Sequence, residues 1–194
     1  MRTQYYTASS LDGYIADERH SLDWLFQLDA GGETSYPDFF RDVGAVAMGS
    51  GTYEWLLRNH VYADPDEHEP WPFEIPAWVF SSRELDPVPD ADLRFVRGDV
   101  RPVHREMAEA AGGRNVWISG GGDLVGQFWD AGLLDELIVQ IAPVTLGGGA
   151  PLLPRRIASP PLRLTHVQTY GGVFVEVRYD VVYPEDDERD RPEP

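Results

Sequence analysis

The residues best suited to chemistry lie in "NVWISGGGDLVGQFW", Asn115 to Trp129, where an apolar run meets three glycines and then a segment with helical spacing. A strand that delivers its end to a helix N-terminus presents unpaired backbone N–H groups, and the helix dipole adds about half a positive charge there. Such a corner attracts anions. Glycine within a regular element costs about 0.5–1 kcal/mol relative to alanine. Gly120, Gly121 and Gly122 in a row therefore imply a close approach to bare backbone, by a phosphate group or by a tightly packed neighbouring segment. A Walker A loop requires Lys and then Ser or Thr behind its last glycine, where this chain has Asp123-Leu124. Gly120, Gly122 and Gly126 form G-x-G-x-x-x-G, one residue longer than the Rossmann fingerprint, and they lie past the midpoint of the chain rather than behind a first strand. A second triplet in "TLGGGAPLL", Gly147 to Gly149, also follows a predicted strand. It suits either an anion or substrate pocket or a plain loop.

Other chemistries find little support. The five histidines make no H-x-x-x-H or H-E-x-x-H pair, and the acidic run Asp64 to Glu69 lacks the glycine and spacing of a calcium loop. Ser50, although set between glycines, lacks the spacing of a nucleophile elbow. The chain contains no cysteine, which removes disulfides, thiolate ligands and a thiol nucleophile. No metal site is expected.

The elements that must position the glycines follow from pattern. "RTQYYTASS" predicts a first strand that ends near Asp12-Gly13. A helix is predicted near Asp38 to Asp42, an apolar strand over Ala45 to Met48, and a glycine turn into a helix over Thr52 to Arg58. Val61 to Pro76 holds four prolines without periodicity and reads as a long loop suited to a lid. "AWVFSSREL" and "LRFVRG" give two short β-rich runs, and "DVRPVHREMAEAAGG" a helix capped by Asp99 and stopped by Gly112. A near-continuous apolar strand precedes Thr145, and two alternating strands flank Gly171-Gly172. The result is an α/β domain with a mixed sheet, helices on its faces and an antiparallel ending.

At 194 residues the chain fits one domain. With 33 acidic against 16 basic residues its net charge is −17, which opposes nucleic-acid phosphates and anionic lipid. No nucleic-acid or membrane partner is expected. Neither a signal-peptide core nor an eighteen-residue apolar window is present, so a soluble, cytoplasmic protein is expected. Residues 184–194, proline-broken and highly charged, read as a disordered acidic tail.

Five segments in order, "SSLDGYIA", "MGSGTYEW", "VFSSR", "VWISGGGDLVGQF" and "LIVQIAPVTLGGGAPLL", resemble the dihydrofolate reductase-like superfamily. The likeness is closest to its branch formed by the riboflavin-biosynthesis reductase domain and small stand-alone relatives, and it covers residues 3 to 183. The resemblance implies a three-layer fold on a mixed, mainly parallel sheet with an antiparallel C-terminal strand. It also implies NADPH bound across the C-terminal strand edges, and a homodimer. By the same resemblance Ala8 and Ile15 flank the nicotinamide, and Gly49, Gly51 and Thr52 lie near the phosphates. Ser81 and Ser82 lie near the adenosine 2′-phosphate, and Gly120, Gly121, Gly122, Asp123 and Leu124 form the pyrophosphate turn.

The family carries an arginine that pairs with the 2′-phosphate where this chain has Ser50. NADH therefore becomes a possible coenzyme beside NADPH, and Arg83 is the candidate to supply the missing charge. Asp12 and Asp38 are the candidate proton donors, and Trp24, Gly147 and Gly148 the candidate substrate contacts. Two functions remain open: a reductase acting on a C=N or C=O bond of a small substrate, pterin-like, aminopyrimidine or related, and a nucleotide-binding or regulatory module without turnover.

Overall fold

The computed structural model describes residues 1–184; most of the acidic tail expected at 184–194 lies outside them. The chain enters through β1 (Thr3–Ser9) and β2 (Tyr14–Ala16), then α1 (Asp23–Phe26) and α2 (Tyr36–Arg41). β3 (Val43–Gly49) runs into α3 (Ser50–Leu56), which a π-helical turn extends over Leu57–Val61. β4 (Ala77–Phe80), β5 (Leu93–Val96), α4 (Val100–Ala110), β6 (Asn115–Gly120) and α5 (Gly122–Asp130) follow, and β7 (Glu136–Ile141), β8 (Ala150–Pro151), β9 (Arg163–Tyr170) and β10 (Phe174–Asp180) close the chain.

Eight strands form one sheet in the order β5-β4-β3-β6-β1-β7-β10-β9, and β2 pairs with β8 in a small second sheet. β1 and β3 to β7 are parallel. β10 is antiparallel to both β7 and β9. The glycine corner follows β6, which sits between β3 and β1; a dinucleotide fold of Rossmann type would carry it behind β1, so that reading falls.

Strand alternation divides the core in two. Tyr5, Ala47, Ile118 and Val139 face Met107 of α4 and Val125 and Phe128 of α5. Tyr6, Val46, Trp117 and Ile138 face Phe39 of α2 and Tyr53 of α3. α4 forms as its sequence predicts: Asp99 accepts a hydrogen bond from the Arg101 N–H at 3.0 Å, and Val100, Val103 and Met107 bury one face.

The second core corrects one expectation. The proline-rich segment is irregular but is no lid. Trp71 is buried against Tyr53 at a ring separation of 5.6 Å, and Phe73 meets Trp117 edge-on at 5.6 Å. Each such aromatic pair adds about 0.5–1.5 kcal/mol beyond the area it buries, which holds this segment to the sheet.

Candidate active site

A cleft of about 690 Å³ opens where β3, β4 and β6 end and α3 and α5 begin. Ile15 and Ala16 of β2, with His20 and Leu22 of the following loop, form its opposite wall. Its volume falls within the range of roughly 300–1,000 Å³ typical of ligand pockets.

The three glycines at its centre are bare for different reasons. A Cβ on Gly120, whose φ is +142°, would press on the Thr52 hydroxyl at 3.2 Å. On Gly122 it would collide with the backbone carbonyls of Pro151 and Leu152, the latter at 2.5 Å. On Gly121 it would meet only the Ile15 methyl at 3.9 Å, and that position faces open cleft. Gly121 is also the N-cap of α5, and no side chain caps that helix. The dipole end and its free amides therefore look into the cleft. Gly126 is explained by packing, because a Cβ there would strike the Arg155 guanidinium.

Charge at the rim is arranged in pairs. Arg83 holds Glu54 of α3 at 2.9 Å, and the hydrogen bond to that carboxylate raises the guanidinium pKa above its ordinary value. Asp123, in the first turn of α5, meets Arg155 at 3.4 Å and accepts from Gln127 at 3.1 Å.

Of the residues singled out in the sequence, Ile15, Gly49, Gly51, Thr52, Arg83 and Gly120 to Leu124 line this cleft. Ala8 instead packs with Trp24 and Val144, and its neighbour Thr7 lines the cleft. Ser81 closes a turn through hydrogen bonds with the Arg83 N–H and C=O, each 2.9 Å, beside a shallower depression that Arg83 and Arg97 also line. The Ser82 carbonyl accepts from Arg97.

Five expectations need correction. Asp38 stands on the outer side of α2, its side chain 81% exposed and paired with Arg41. Trp24 is buried in a cluster with Ala142 and Phe174, so it is core and not a stacking surface. Asp12 accepts from the Ser10 hydroxyl at 2.6 Å, the Leu146 N–H at 3.0 Å and the Gly147 N–H at 2.7 Å. These bonds, that from Ser10 first, pull its carboxyl down to about 2, which makes it a clamp rather than a proton donor. Gly147 and Gly148 lie outside the cleft: a Cβ on Gly148 would meet the Glu18 carboxylate at 2.9 Å, and Gly147 gives its N–H to Asp12. Both glycines belong to a turn that meets the segments flanking β2, Gly147 through Asp12 and Gly148 through Glu18.

Sequence reasoning did not single out Thr7, His20, Leu22, Trp55 or Arg58, all of which line the cleft. For two of them a signal existed. Gly51, Thr52, Trp55 and Arg58 fall on one face of a helix by spacing alone.

Among the described residues no group of three or more His, Asp or Glu side chains is placed to hold a metal ion, and no helix is long and apolar enough to cross a membrane. The family model for the RibD C-terminal domain matches residues 3–175. The uncharacterized protein YwjB of Bacillus subtilis is 32% identical over 179 residues, 92% of this chain and 97% of the relative. A crystal structure from Shewanella sp. PV-4, of a protein named for riboflavin biosynthesis, is 26% identical and superimposes with a TM-score of 0.77, covering 93% of this chain and 98% of that one. The diaminohydroxyphosphoribosylaminopyrimidine deaminase/5-amino-6-(5-phosphoribosylamino)uracil reductase of Thermotoga maritima matches at 18% identity with a TM-score of 0.61. It covers 92% of this chain but 56% of that one, a likeness of fold.

Proposed function

The chain belongs to the family of the RibD C-terminal domain, and from that premise we propose that it is an oxidoreductase that holds NADPH in the cleft. Its substrate is a small planar molecule of pterin or aminopyrimidine type, reduced at a C=N or C=O bond. The observation that carries this reading is Gly121: open backbone at an uncapped helix N-terminus, inside a cleft of ligand size. Such a corner suits a diphosphate, so the residues present fit the coenzyme.

The α5 amides and the backbone of Gly120 to Gly122 take the pyrophosphate, with Thr52 and the Gly49 to Gly51 turn beside it. Arg83 supplies at the 2′-phosphate the charge that Ser50 does not. Ile15 flanks the nicotinamide, and His20 and Leu22 close the cleft against water. When bound, the coenzyme supplies hydride from C4 of its nicotinamide. With Asp12 and Asp38 committed elsewhere, the accompanying proton comes from solvent at the cleft mouth. The protein's part is to orient and to exclude water. The homodimer expected from the resemblance is supported by exposed Leu164, Val167 and Val175 on the β9–β10 hairpin.

Calorimetric titration with NADPH and NADH tests the site. Loss of reduced-nicotinamide absorbance across pterins, aminopyrimidine ribosyl compounds and imines tests the reaction. Binding followed by oxidation is expected. Binding without oxidation by any compound marks the second reading, a nucleotide-binding module, which Ser50 favours. If neither coenzyme binds, both readings fail.

A further inference from the structure

The cleft has a second end. Along α3 and the π-helical turn that extends it, Gly51, Thr52, Trp55 and Arg58 line the cleft, while Tyr53, Leu56 and Leu57 join the core. At about 1.5 Å of rise per residue, Arg58 stands roughly 12 Å along the axis from Ser50, well away from the glycine corner. π-helical turns recur at functional sites because they re-aim side chains.

Arg58 differs from the other arginine of the cleft. Arg83 is paired with Glu54. Among the described residues Arg58 has no carboxylate within ion-pair distance and no hydrogen-bond partner, in a chain whose acids outnumber its bases 33 to 16. One turn before it, the half-buried Trp55 stacks on Phe26 of α1 with ring centroids 5.8 Å apart and planes 15° from parallel. Phe26 is 66% exposed, so this stack stands at the cleft mouth.

We propose that Trp55 and Arg58 form the substrate-recognition end of the cleft. Trp55 packs on the planar ring system, and Arg58 binds an anionic substituent, carboxylate or phosphate, carried by the same molecule. The assignment rests on the reductase reading for the occupant of the glycine end. A net charge of −17 repels an anionic substrate at long range, so its retention needs a local cation free of acidic partners. A guanidinium meets either anion through a pair of parallel N–H donors.

The test uses fluorescent probes titrated against the full chain without coenzyme: pterin against pterin-6-carboxylate, and riboflavin against flavin mononucleotide. At least one charged probe should bind wild-type protein about ten- to a hundredfold more tightly than its neutral parent. In Arg58→Gln that preference should shrink to within about threefold, while Arg58→Lys retains part of it. The pair that discriminates identifies the anion. Equal affinities within both pairs, no saturable binding of any probe, or a preference that survives Arg58→Gln overturns the assignment. NADPH is titrated separately on the same proteins. Lost coenzyme binding with intact probe discrimination would sink the reductase reading alone, and the reverse would sink this assignment alone.

Discussion

The two glycine triplets are the same three letters used for opposite purposes. At Gly147 to Gly149 two positions are closed by the protein itself, and the third, Gly147, is bare for its left-handed φ of +72°. A Cβ on Gly149 would collide with the Ala16 carbonyl and lie 2.8 Å from the Asp17 backbone, Gly148 is pressed by Glu18, and Gly147 gives its N–H to Asp12. At Gly120 to Gly122 the outer two are constrained in the same way, but the middle one faces empty space at a helix entrance. Absence of side chains is thus no signature of a ligand. What distinguishes the two triplets is whether the room left at a bare position opens into a cleft of ligand size, as it does at Gly121 and does not at Gly147.

The sharpest way to break that contrast is to add one methyl at a time. Gly149→Ala, which joins backbone overlap to a φ of +126°, should cost about 2–5 kcal/mol. At about 2–4 °C per kcal/mol for a chain of this size, thermal denaturation should show a fall of roughly 5–15 °C. Gly122→Ala should cost about 1–3 kcal/mol by the same overlap. Gly121→Ala should instead hold stability within about 1 kcal/mol and weaken NADPH binding about tenfold or more. If Gly121→Ala destabilises like Gly122→Ala and leaves affinity alone, the two triplets are alike after all.

The rim sharpens the comparison next. Removing Arg83 takes a charge-assisted contact worth about 1.5–3 kcal/mol from the 2′-phosphate. Arg83→Ala should therefore lower the ratio of NADPH to NADH affinity by about tenfold or more. An unchanged ratio would leave Arg83 as no more than the partner of Glu54.

The smallest effect concerns Asp12, whose carboxylate ties the first loop to the second triplet. Its folded pKa lies below the unfolded value of about 3.9, near 2. Its stabilisation is therefore complete above about pH 4 and lost as pH falls through about 2. Asp12→Ala should melt a little below wild type at neutral pH, and the gap should close as pH drops from about 4 to about 2. A gap that does not vary over that window means that Asp12 stabilises by another route.

Legibility in the sequence follows the range of the interactions. α4 is written locally, in the Asp99 cap and the spacing of Val100, Val103 and Met107. The glycine corner is legible because bare backbone is a compositional signal. α1, at four residues, is too short to show a period. Asp12 reads as an ordinary turn acid because the amides it binds lie 134 and 135 residues away. Trp24 and Trp71 carry no pattern that separates core from surface, since the partners that bury them come from other elements. Arg58 had the right spacing, but its meaning depends on which acids it lacks nearby, and that is a property of three dimensions.

The small β2–β8 sheet lies between the corner and the clamp. β8 supplies Pro151, whose carbonyl abuts Gly122, and β2 supplies Ile15, which faces Gly121. Its flanking turns are fastened together by Asp12. A molecule that fills the cleft against Ile15 therefore leans on the same small sheet whose flanking turns Asp12 fastens. The Leu146 and Gly147 amides, which lie outside the cleft lining, are then expected to act as a remote gauge of occupancy, readable as slowed deuterium uptake at two backbone positions.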